Sequence, residues 1–518
     1  MVWSERFAAC SSTFLLYYEF SVVFIQVVLA LILGLGFPFG LPWRASWPGG
    51  IFLGTGLMVL LPWCLGRVLV ESYLREMRSG FIDSKRIRTQ RRMLSLFEWC
   101  PLIVYSGVVT GLGWTNWVDE DLGLSRSVLI GDLLRLLPFV LAQLTTLVPM
   151  YRLGSHSGHS FSSLGSMLGF HFRMNWIPMV PVLMMSSLAE WAARLPSEWL
   201  DPLDVYPFLG WCLLLPVLGC LVVGFPPILI LLLGTRSMPP GETRDRLDEI
   251  LSRRGVKIRD FRVWTIPHPQ MLNAAVVGLA RRWRYVIFTS ALLDSLSEEE
   301  LIAVLAHENG HIEGGHQRIF IMMAILFYLT LYGPSRWLEP VLGEVVFSAL
   351  LLAVFGLFFG VFLFGWLSRR LEREADLIAA EIVGSPLRMS LCLTRVAFLA
   401  GHDPDQNGWR HGSVSERIGF LASVSKDPRI GNRFRERLKK VIRRVEWSLL
   451  LLMIPTLILV GQEWISPHKR IQKLIEIRID SGEFKRARQL LDRYPETRFQ
   501  STKEYRRRLE RSSEEENR

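Results

Sequence analysis

Apolar residues in this chain lie in runs of about 20 residues, separated by short polar stretches. Helices of that length cross the hydrocarbon core of a bilayer, where every backbone polar group must be paired within the segment. Half of the 518 residues are hydrophobic and only 21% are charged. A soluble protein would not concentrate its apolar residues in runs of this length. The pattern excludes a wholly soluble protein and predicts a mainly α, polytopic α-helical membrane protein.

The apolar runs predict about six spans before residue 236 and three more after it. The first run is longer than a signal-peptide core and no clear small-residue cleavage site follows it, so we interpret it as a retained span. The runs cover residues 14–39, 51–70, 94–113, 128–148, 176–191 and 206–233, then 319–333, 341–368 and 447–465.

Basic residues cluster at the ends of the runs and predict their orientation. Residues 71–92 are rich in Lys and Arg, whereas residues 116–126 carry three acidic residues and one Arg. Cytoplasmic loops carry the excess of basic residues, so alternation from these segments places residues 236–318 in the cytoplasm. The net charge of +11 therefore indicates contact with a lipid bilayer. No nucleic-acid-reading module accompanies the charge, and no nucleic-acid partner is predicted.

The same patterns predict four parts of the chain. Residues 1–236 form a membrane domain, and residues 237–446 form a cytoplasmic domain that the runs 319–333 and 341–368 interrupt. Residues 447–465 form the last span, and 466–518 form a charged helical tail. The cytoplasmic domain is mostly helical, with a small β-sheet that includes β-like runs at 262–266 and 285–289. Ser297 and the glutamates after it predict a helix start.

The motif His307-Glu308-Asn-Gly-His311 is the sharpest chemical signal. Residues four apart on a helix stand one above the other, so both imidazoles can bind one cation while Glu308 points toward a water on it. This pattern predicts a zinc site with Glu308 beside a metal-bound water. The alternative is a surface helix whose two histidines are paired with neighbouring carboxylates.

A third protein ligand must come from elsewhere. On a continuing helix His316 would lie about 180° round from His307, which predicts an outer-shell or structural role. Glu372 is the better candidate, because Asp376 lies four residues on and can hold the far nitrogen of a ligating histidine. Glu374 is the rival, but its spacing leaves no such partner. The alternative for this segment is an ordinary charged helix beside the membrane.

Together these motifs resemble the HtpX-like and CAAX prenyl protease family of membrane-bound zinc metallopeptidases, which are of the gluzincin type. The resemblance covers about residues 247–421 and rests on four segments: His307 to His311, Glu372 to Asp376, Asn273-Ala274 and His411-Gly-Ser-Val-Ser-Glu-Arg417. The chain departs from the family at Gly412, where the family usually has Pro, and this bears on the orientation of His411.

The resemblance implies a role for each matched residue. His307, His311 and Glu372 bind one Zn²⁺ per chain, Glu308 is the general base and Asp376 supports a ligand. His411 and Arg417 approach the reacting carbonyl, and Asn273 and Ala274 start an edge strand that binds substrate. The alternative for Arg417 is a salt bridge to Glu416 or another neighbour.

We expect an extended peptide to pair with backbone groups left free by the strand at 285–289, with the small Ala274 and Ala275 allowing close approach. The predicted activity is hydrolysis of peptide bonds in membrane or membrane-associated proteins, for quality control or processing. The alternatives are a gated membrane sensor that signals by one regulatory cleavage, prenyl-protein processing, and a silent scaffold, which the intact Glu308 disfavours.

Overall fold

The computed structural model describes most of the chain. It covers residues 26–34, 48–78, 84–124, 128–156, 161–195, 207–342 and 358–493, except 28, 32, 267, 269–270, 402, 407, 409, 466–470, 472–474, 477 and 480–483. Most of the apolar run 14–39 and residues 343–357 of the run 341–368 lie outside these ranges, as does the tail after 493.

Long helices fill the first part of the chain. They are α1 (Pro48–Arg78), α2 (Ser84–Phe97), α3 (Cys100–Gly111), α4 (Val128–His156), α5 (Leu164–Ala193) and α6 (Pro207–Leu233). Between α3 and α4 lie a short helical turn, Trp114–Asn116, and a π-helix, Trp117–Asp121. Tyr105 of α3 and Phe139 of α4 are fully buried, with ring centroids 5.6 Å apart, and belong to the core of this bundle.

Length and composition mark three described helices as able to cross a membrane: Gly49–Glu76, Leu129–His156 and Pro216–Leu233. A fourth candidate is a pair of helices, Phe362–Val383 and Pro386–Leu399, bent by 117°. Large apolar side chains project outward from the first and third, such as Leu57 at 72% and Leu231 at 79% exposed. Such surfaces suit lipid rather than water, and they agree with the predicted helical membrane protein.

Four strands form one sheet in the order β1–β2–β4–β3. They are β1 (Arg236–Ser237), β2 (Asp260–Trp264), β3 (Ala274–Val277) and β4 (Tyr285–Thr289). β4 pairs in parallel with β2 and antiparallel with β3, so both of its sides are occupied. The expectation that residues 285–289 offer free backbone groups to a substrate is therefore wrong, and β3 is the edge strand on that side.

The sheet lies between the membrane helices and the helices of the peptidase part. Side chains alternate along β4, so Val286 and Phe288 pack on one face against a core that includes Leu305. Tyr285 and Ile287 face the other way and pack against residues of α5 and α6. This double cover explains why every residue of β4 is buried.

Helices make up the rest of the peptidase part. They are α7 (Glu242–Arg253), α8 (Ser290–Ser295), α9 (Glu298–Glu313), α10 (His316–Leu342), α11 (Gly365–Val383), α12 (Pro386–Leu399), α13 (Val414–Lys426), α14 (Arg429–Ile465) and α15 (Phe484–Arg493). A 3₁₀ turn (Arg281–Trp283) precedes β4, and a π-helix (Phe358–Phe364) leads into α11. Ser297 and Glu300 form a capping box at the start of α9, which confirms the predicted helix start.

A glycine lets α9 and α11 approach each other closely. A Cβ built on Gly310 would lie 2.7 Å from the Ala375 carbonyl oxygen and 2.8 Å from the Ala375 Cα. No larger residue fits there without moving one helix, because real Cβ atoms do not approach backbone so closely. The contact brings the histidines of α9 beside the carboxylates of α11.

Candidate metal centre and substrate edge

The two histidines of α9 point their rings to the same place. His307 Nε2 and His311 Nε2 are 3.3 Å apart, and the rings meet edge to face. The spacing of four residues puts one ring a turn above the other. Both nitrogens can therefore donate an electron pair to the same metal ion.

Glu372 of α11 completes this group from across the helix contact. Its Oε2 lies 3.4 Å from His307 Nε2, and its Oε1 lies 3.6 Å from His311 Nε2. Burial by itself would raise the pKa of Glu372, but the neighbouring His411, His307 and Arg417 hold it well below its usual range. Within the described structure Glu372 Oε2 is buried yet accepts no hydrogen bond.

Asp376 stands one turn beyond Glu372 and supports His307, as the spacing predicts. Its Oδ1 lies 2.9 Å from His307 Nδ1, on the side of the ring away from Glu372. Arg417 of α13 donates to both oxygens of Asp376, from Nε at 2.7 Å and Nη2 at 2.6 Å. Burial would raise the pKa of Asp376, but Arg417 and His307 lower it to about 2. The carboxylate is therefore ionised and can accept from His307.

Arg417 pairs with Asp376 and Glu372 rather than with its sequence neighbour Glu416. Glu416 pairs with Arg373 at 3.0 Å, whereas Arg417 pairs with Asp376 and places Nη1 3.4 Å from Glu372 Oε2. The alternative of a salt bridge between Arg417 and Glu416 is wrong. Arg417 does form a salt bridge with another neighbour, Asp376. The guanidinium lies at the edge of the metal group, which is compatible with a second contact to substrate.

Glu308 points toward the edge strand. Its Oε2 accepts a hydrogen bond from the Val276 N–H at 3.1 Å. Burial raises its pKa to about 7, against the opposing effects of His307 and the Val276 bond. A carboxyl group with such a pKa can both accept and release a proton near neutral pH.

His411 reaches the same group from the loop before α13. Its Nδ1 lies 2.9 Å from Glu372 Oε1. Gly412 has a φ of +71° and pairs with Gly408 in an isolated bridge, so the loop turns sharply just after the histidine. Proline, the usual family residue at this position, cannot adopt that φ. The loop backbone here therefore turns in a way that proline would not allow, and His411 still contacts Glu372.

His316 lies closer to the site than a continuing helix would allow. α9 ends at Glu313, and Gly315 has a φ of +64°, so the chain turns before α10 begins. His316 Nδ1 is 2.8 Å from His311 Nδ1, and His316 Nε2 is 3.2 Å from Glu374 Oε2. The assumption of a continuing helix did not predict this contact between His316 and Glu374.

The substrate edge has a definite pattern of used and unused backbone groups. The Thr289 N–H donates to the Asn273 carbonyl, so by alternation Ala275 also pairs with β4 while Ala274 and Val276 point their backbone groups outward. Val276 is already engaged, since it donates to Glu308 and its carbonyl accepts from Gln317 Nε2 at 3.2 Å.

The Ala274 side chain does not face the substrate edge. It packs against the core under the sheet, on the same face as Val276 and Phe288. Its small size therefore relates to packing, and the expectation that it clears a path for the substrate backbone is wrong. Asn273 is exposed just before the strand, so any contact of this edge with a peptide involves that side chain and the outward backbone groups of Ala274.

The donor set fits a zinc ion. Two ligand atoms bound tetrahedrally at ~2.1 Å are separated by about 3.4 Å. The two imidazole nitrogens are 3.3 Å apart, and the two oxygens of Glu372 lie 3.4 Å from His307 Nε2 (Oε2) and 3.6 Å from His311 Nε2 (Oε1). One ligand atom from each residue lies within 4.8 Å of the other two. Two imidazoles and one carboxylate are the protein ligands typical of catalytic zinc sites, which leave one position open. His307, His311 and Glu372 form the one such group found among the described residues.

Comparison with known proteins shows similarity to peptidases. Residues 239–476 match the model of peptidase family M48. The chain is 26% identical over 245 residues to a protease HtpX homologue of Herminiimonas arsenicoxydans, covering 41% of this chain and 82% of the relative. It is 27% identical over 245 residues to a protease HtpX homologue of Janthinobacterium sp. (strain Marseille), with the same coverage of 41% and 82%.

A solved structure also resembles the chain. The crystal structure of S. mikatae Ste24p matches with a TM-score of 0.49 and 17% identity, covering 71% of this chain and 97% of that one.

Proposed function

We propose that this membrane-embedded metalloprotease, whose residues 239–476 match peptidase family M48, is a zinc-dependent endopeptidase. One observation carries the proposal: the ligand atoms of His307, His311 and Glu372 converge at distances that suit one zinc per chain. Peptides and proteins are the substrates expected of a protease.

Each residue of the site has a chemical task in this proposal. A bound zinc ion supplies Lewis acidity, which activates water and polarises a peptide carbonyl. Glu308 takes the proton of the attacking water and delivers it to the leaving amine. Asp376 holds His307 through Nδ1. Arg417 and His411, which both contact Glu372, donate to the developing oxyanion.

Substrate binds in this proposal as an extended strand along β3. The outward N–H and C=O of Ala274 pair with the peptide, and Asn273 donates a further hydrogen bond. A helix cannot make these contacts because its backbone groups are already paired. Cleavage is therefore expected in unfolded or loop segments, including those of membrane proteins.

Replacing Glu308 with Gln tests the catalytic assignment and identifies substrates. The variant lacks the base, so turnover should fall by at least about 10²-fold, while zinc content stays near one per chain. Zinc analysis, peptide cleavage and mass spectrometry of captured proteins measure these effects in the full-length detergent-purified chain. The captured proteins also separate quality control from regulatory cleavage and prenyl-protein processing. Wild-type turnover in Glu308→Gln contradicts the proposal.

The domain organisation and orientation are part of the same proposal. The membrane domain 1–236, the peptidase domain 237–446 with two interrupting spans, the span 447–465 and the tail 466–518 follow from the apolar runs. The distribution of Lys and Arg puts the peptidase domain in the cytoplasm. Reporter fusions after residues 240 and 430 should report a cytoplasmic location, and a fusion after residue 518 the far side. A cytoplasmic signal at 518 instead means that residues 447–465 do not cross.

A further inference from the structure

His316 is a buried histidine that is not one of the three proposed ligands. Its side chain is fully buried, and its ring stands between His311 and Glu374. His311 Nδ1 and His316 Nδ1 are 2.8 Å apart, and His316 Nε2 is 3.2 Å from Glu374 Oε2. The opposite nitrogen of His311 belongs to the metal group. The three side chains thus form a line that runs from Glu374 to the metal group.

Only one arrangement of protons satisfies this line when both rings are neutral. A carboxylate such as that of Glu374 accepts hydrogen bonds, so in this arrangement His316 carries its proton on Nε2. His316 Nδ1 then has a lone pair and accepts from His311 Nδ1. His311 Nε2 is left without a proton, with its lone pair directed at His307 and Glu372. That is the tautomer a metal ligand requires.

The local sequence builds this line with two glycines. Gly315, with its φ of +64°, reverses the chain between α9 and α10. A Cβ on Gly314 would lie 2.3 Å from His316 Nε2, so the ring can fold back only over a residue without a side chain. Glu374 comes from α11, between Glu372 and Asp376. One helix therefore supplies a ligand and a carboxylate for each of the two histidines.

We propose that His316 and Glu374 are positioning residues that fix the orientation and tautomer of His311, as Asp376 does for His307. The inference rests on the proposed zinc site. It also assigns Glu374 a part in metal binding through His316 rather than as a ligand. Partners of this kind typically change metal affinity by 10–100-fold.

The test measures zinc affinity of the full-length protein by competition with a chelator, together with the visible spectrum of the Co²⁺-substituted protein. His316→Phe keeps a ring of similar size but lacks both nitrogens, so zinc affinity should fall about 10–100-fold and the Co²⁺ spectrum should change. His316→Gln retains an acceptor and a donor and should recover most of the affinity. Glu374→Ala should weaken zinc binding about 10-fold, since His316 Nε2 loses its acceptor.

Two controls separate positioning from packing. His156→Phe, at the exposed end of α4, should leave zinc affinity unchanged. The melting temperature with and without zinc gives the second control, because a packing defect lowers both values whereas a positioning defect lowers mainly the gain on zinc addition. Wild-type zinc affinity in both His316→Phe and Glu374→Ala overturns this inference alone. Failure of the unsubstituted chain to bind zinc overturns the proposed function itself.

Discussion

His307, His311 and Glu372 stand on two buried helices, whereas the strand β3 beside them lies on the edge of a sheet. We call the first group the metal side and β3 the substrate side. On the metal side each functional group has a fixed partner: Asp376 for His307, His316 for His311 and Arg417 for Asp376. On the substrate side the outward groups belong to the backbone, and one pair of them is engaged by Glu308 and Gln317.

The difference indicates how each side responds to substitution. Removing a buried charged group also leaves its partners without compensation, which is costly in a low-dielectric interior. Removing an edge contact exposes a backbone group that water can satisfy. We therefore expect large, coupled losses of metal and activity on the metal side, and modest changes of substrate affinity alone on the substrate side.

The largest effect is expected from loss of a ligand. His311→Ala and Glu372→Ala should each weaken zinc binding by more than about 10²-fold, beyond the loss of a supporting partner, and abolish hydrolysis. Metal analysis after dialysis and cleavage of an unfolded protein measure both. His156→Ala is the matched control and should keep full zinc content. Full zinc content in both ligand variants would falsify the assignment of the metal side.

A smaller effect should follow from Gly310→Ala. The new Cβ would press against the backbone of Ala375 and separate α9 from α11, at a cost of ~1–3 kcal/mol in the free energy of unfolding. Because Glu372 is carried on α11, zinc affinity should fall in parallel. Denaturant unfolding and chelator competition report the two quantities.

Gly419→Ala is the matched control for this change. Gly419 lies in helix α13, where an added Cβ meets nothing within 4 Å. The alanine should raise the free energy of unfolding by ~0.5–1 kcal/mol, because glycine is the weaker helix former. A loss of zinc affinity in Gly419→Ala equal to that in Gly310→Ala would argue against helix contact as the cause.

The smallest effect is expected on the substrate side. Ala274→Pro removes the outward N–H of Ala274 and leaves the β3–β4 hydrogen bonds in place, since proline is tolerated where the N–H does not serve the sheet. Loss of one hydrogen bond worth ~0.5–1.5 kcal/mol should raise KM for an extended peptide about 2–10-fold, with zinc content unchanged. Ala275→Pro, which breaks a bond to β4, should instead destabilise the fold. Unchanged KM in Ala274→Pro removes this edge from the proposal.

Features set by nearby residues could be predicted from the sequence. The helix start at Ser297, the shared face of His307 and His311 and the reach of Asp376 from Glu372 follow from helical periodicity and capping. The β-like run at 285–289 coincides with β4, and the mainly helical membrane fold follows from the apolar runs. These predictions needed no knowledge of which segments meet in space.

Features set by chain reversals could not be predicted in the same way. The geometry assumed for His316 required α9 to continue, but Gly314 and Gly315 end it, and two adjacent glycines were the available signal. The edge position of β3 depends on pairing between strands, which alternation within one strand does not encode. The same applies to the Ala274 side chain, whose face is set by its register with Phe288.

By itself, the sequence determined which residues can do chemistry and on which helical faces they stand, because 3.6-residue periodicity is a local property of the backbone. Only the tertiary structure decided which other residues position these side chains. Gly310 against Ala375 fixes the approach of α9 to α11, and the turn at Gly315 brings His316 between His311 and Glu374. These contacts join segments about 60 residues apart in the chain, and long-range packing rather than local propensity determines them.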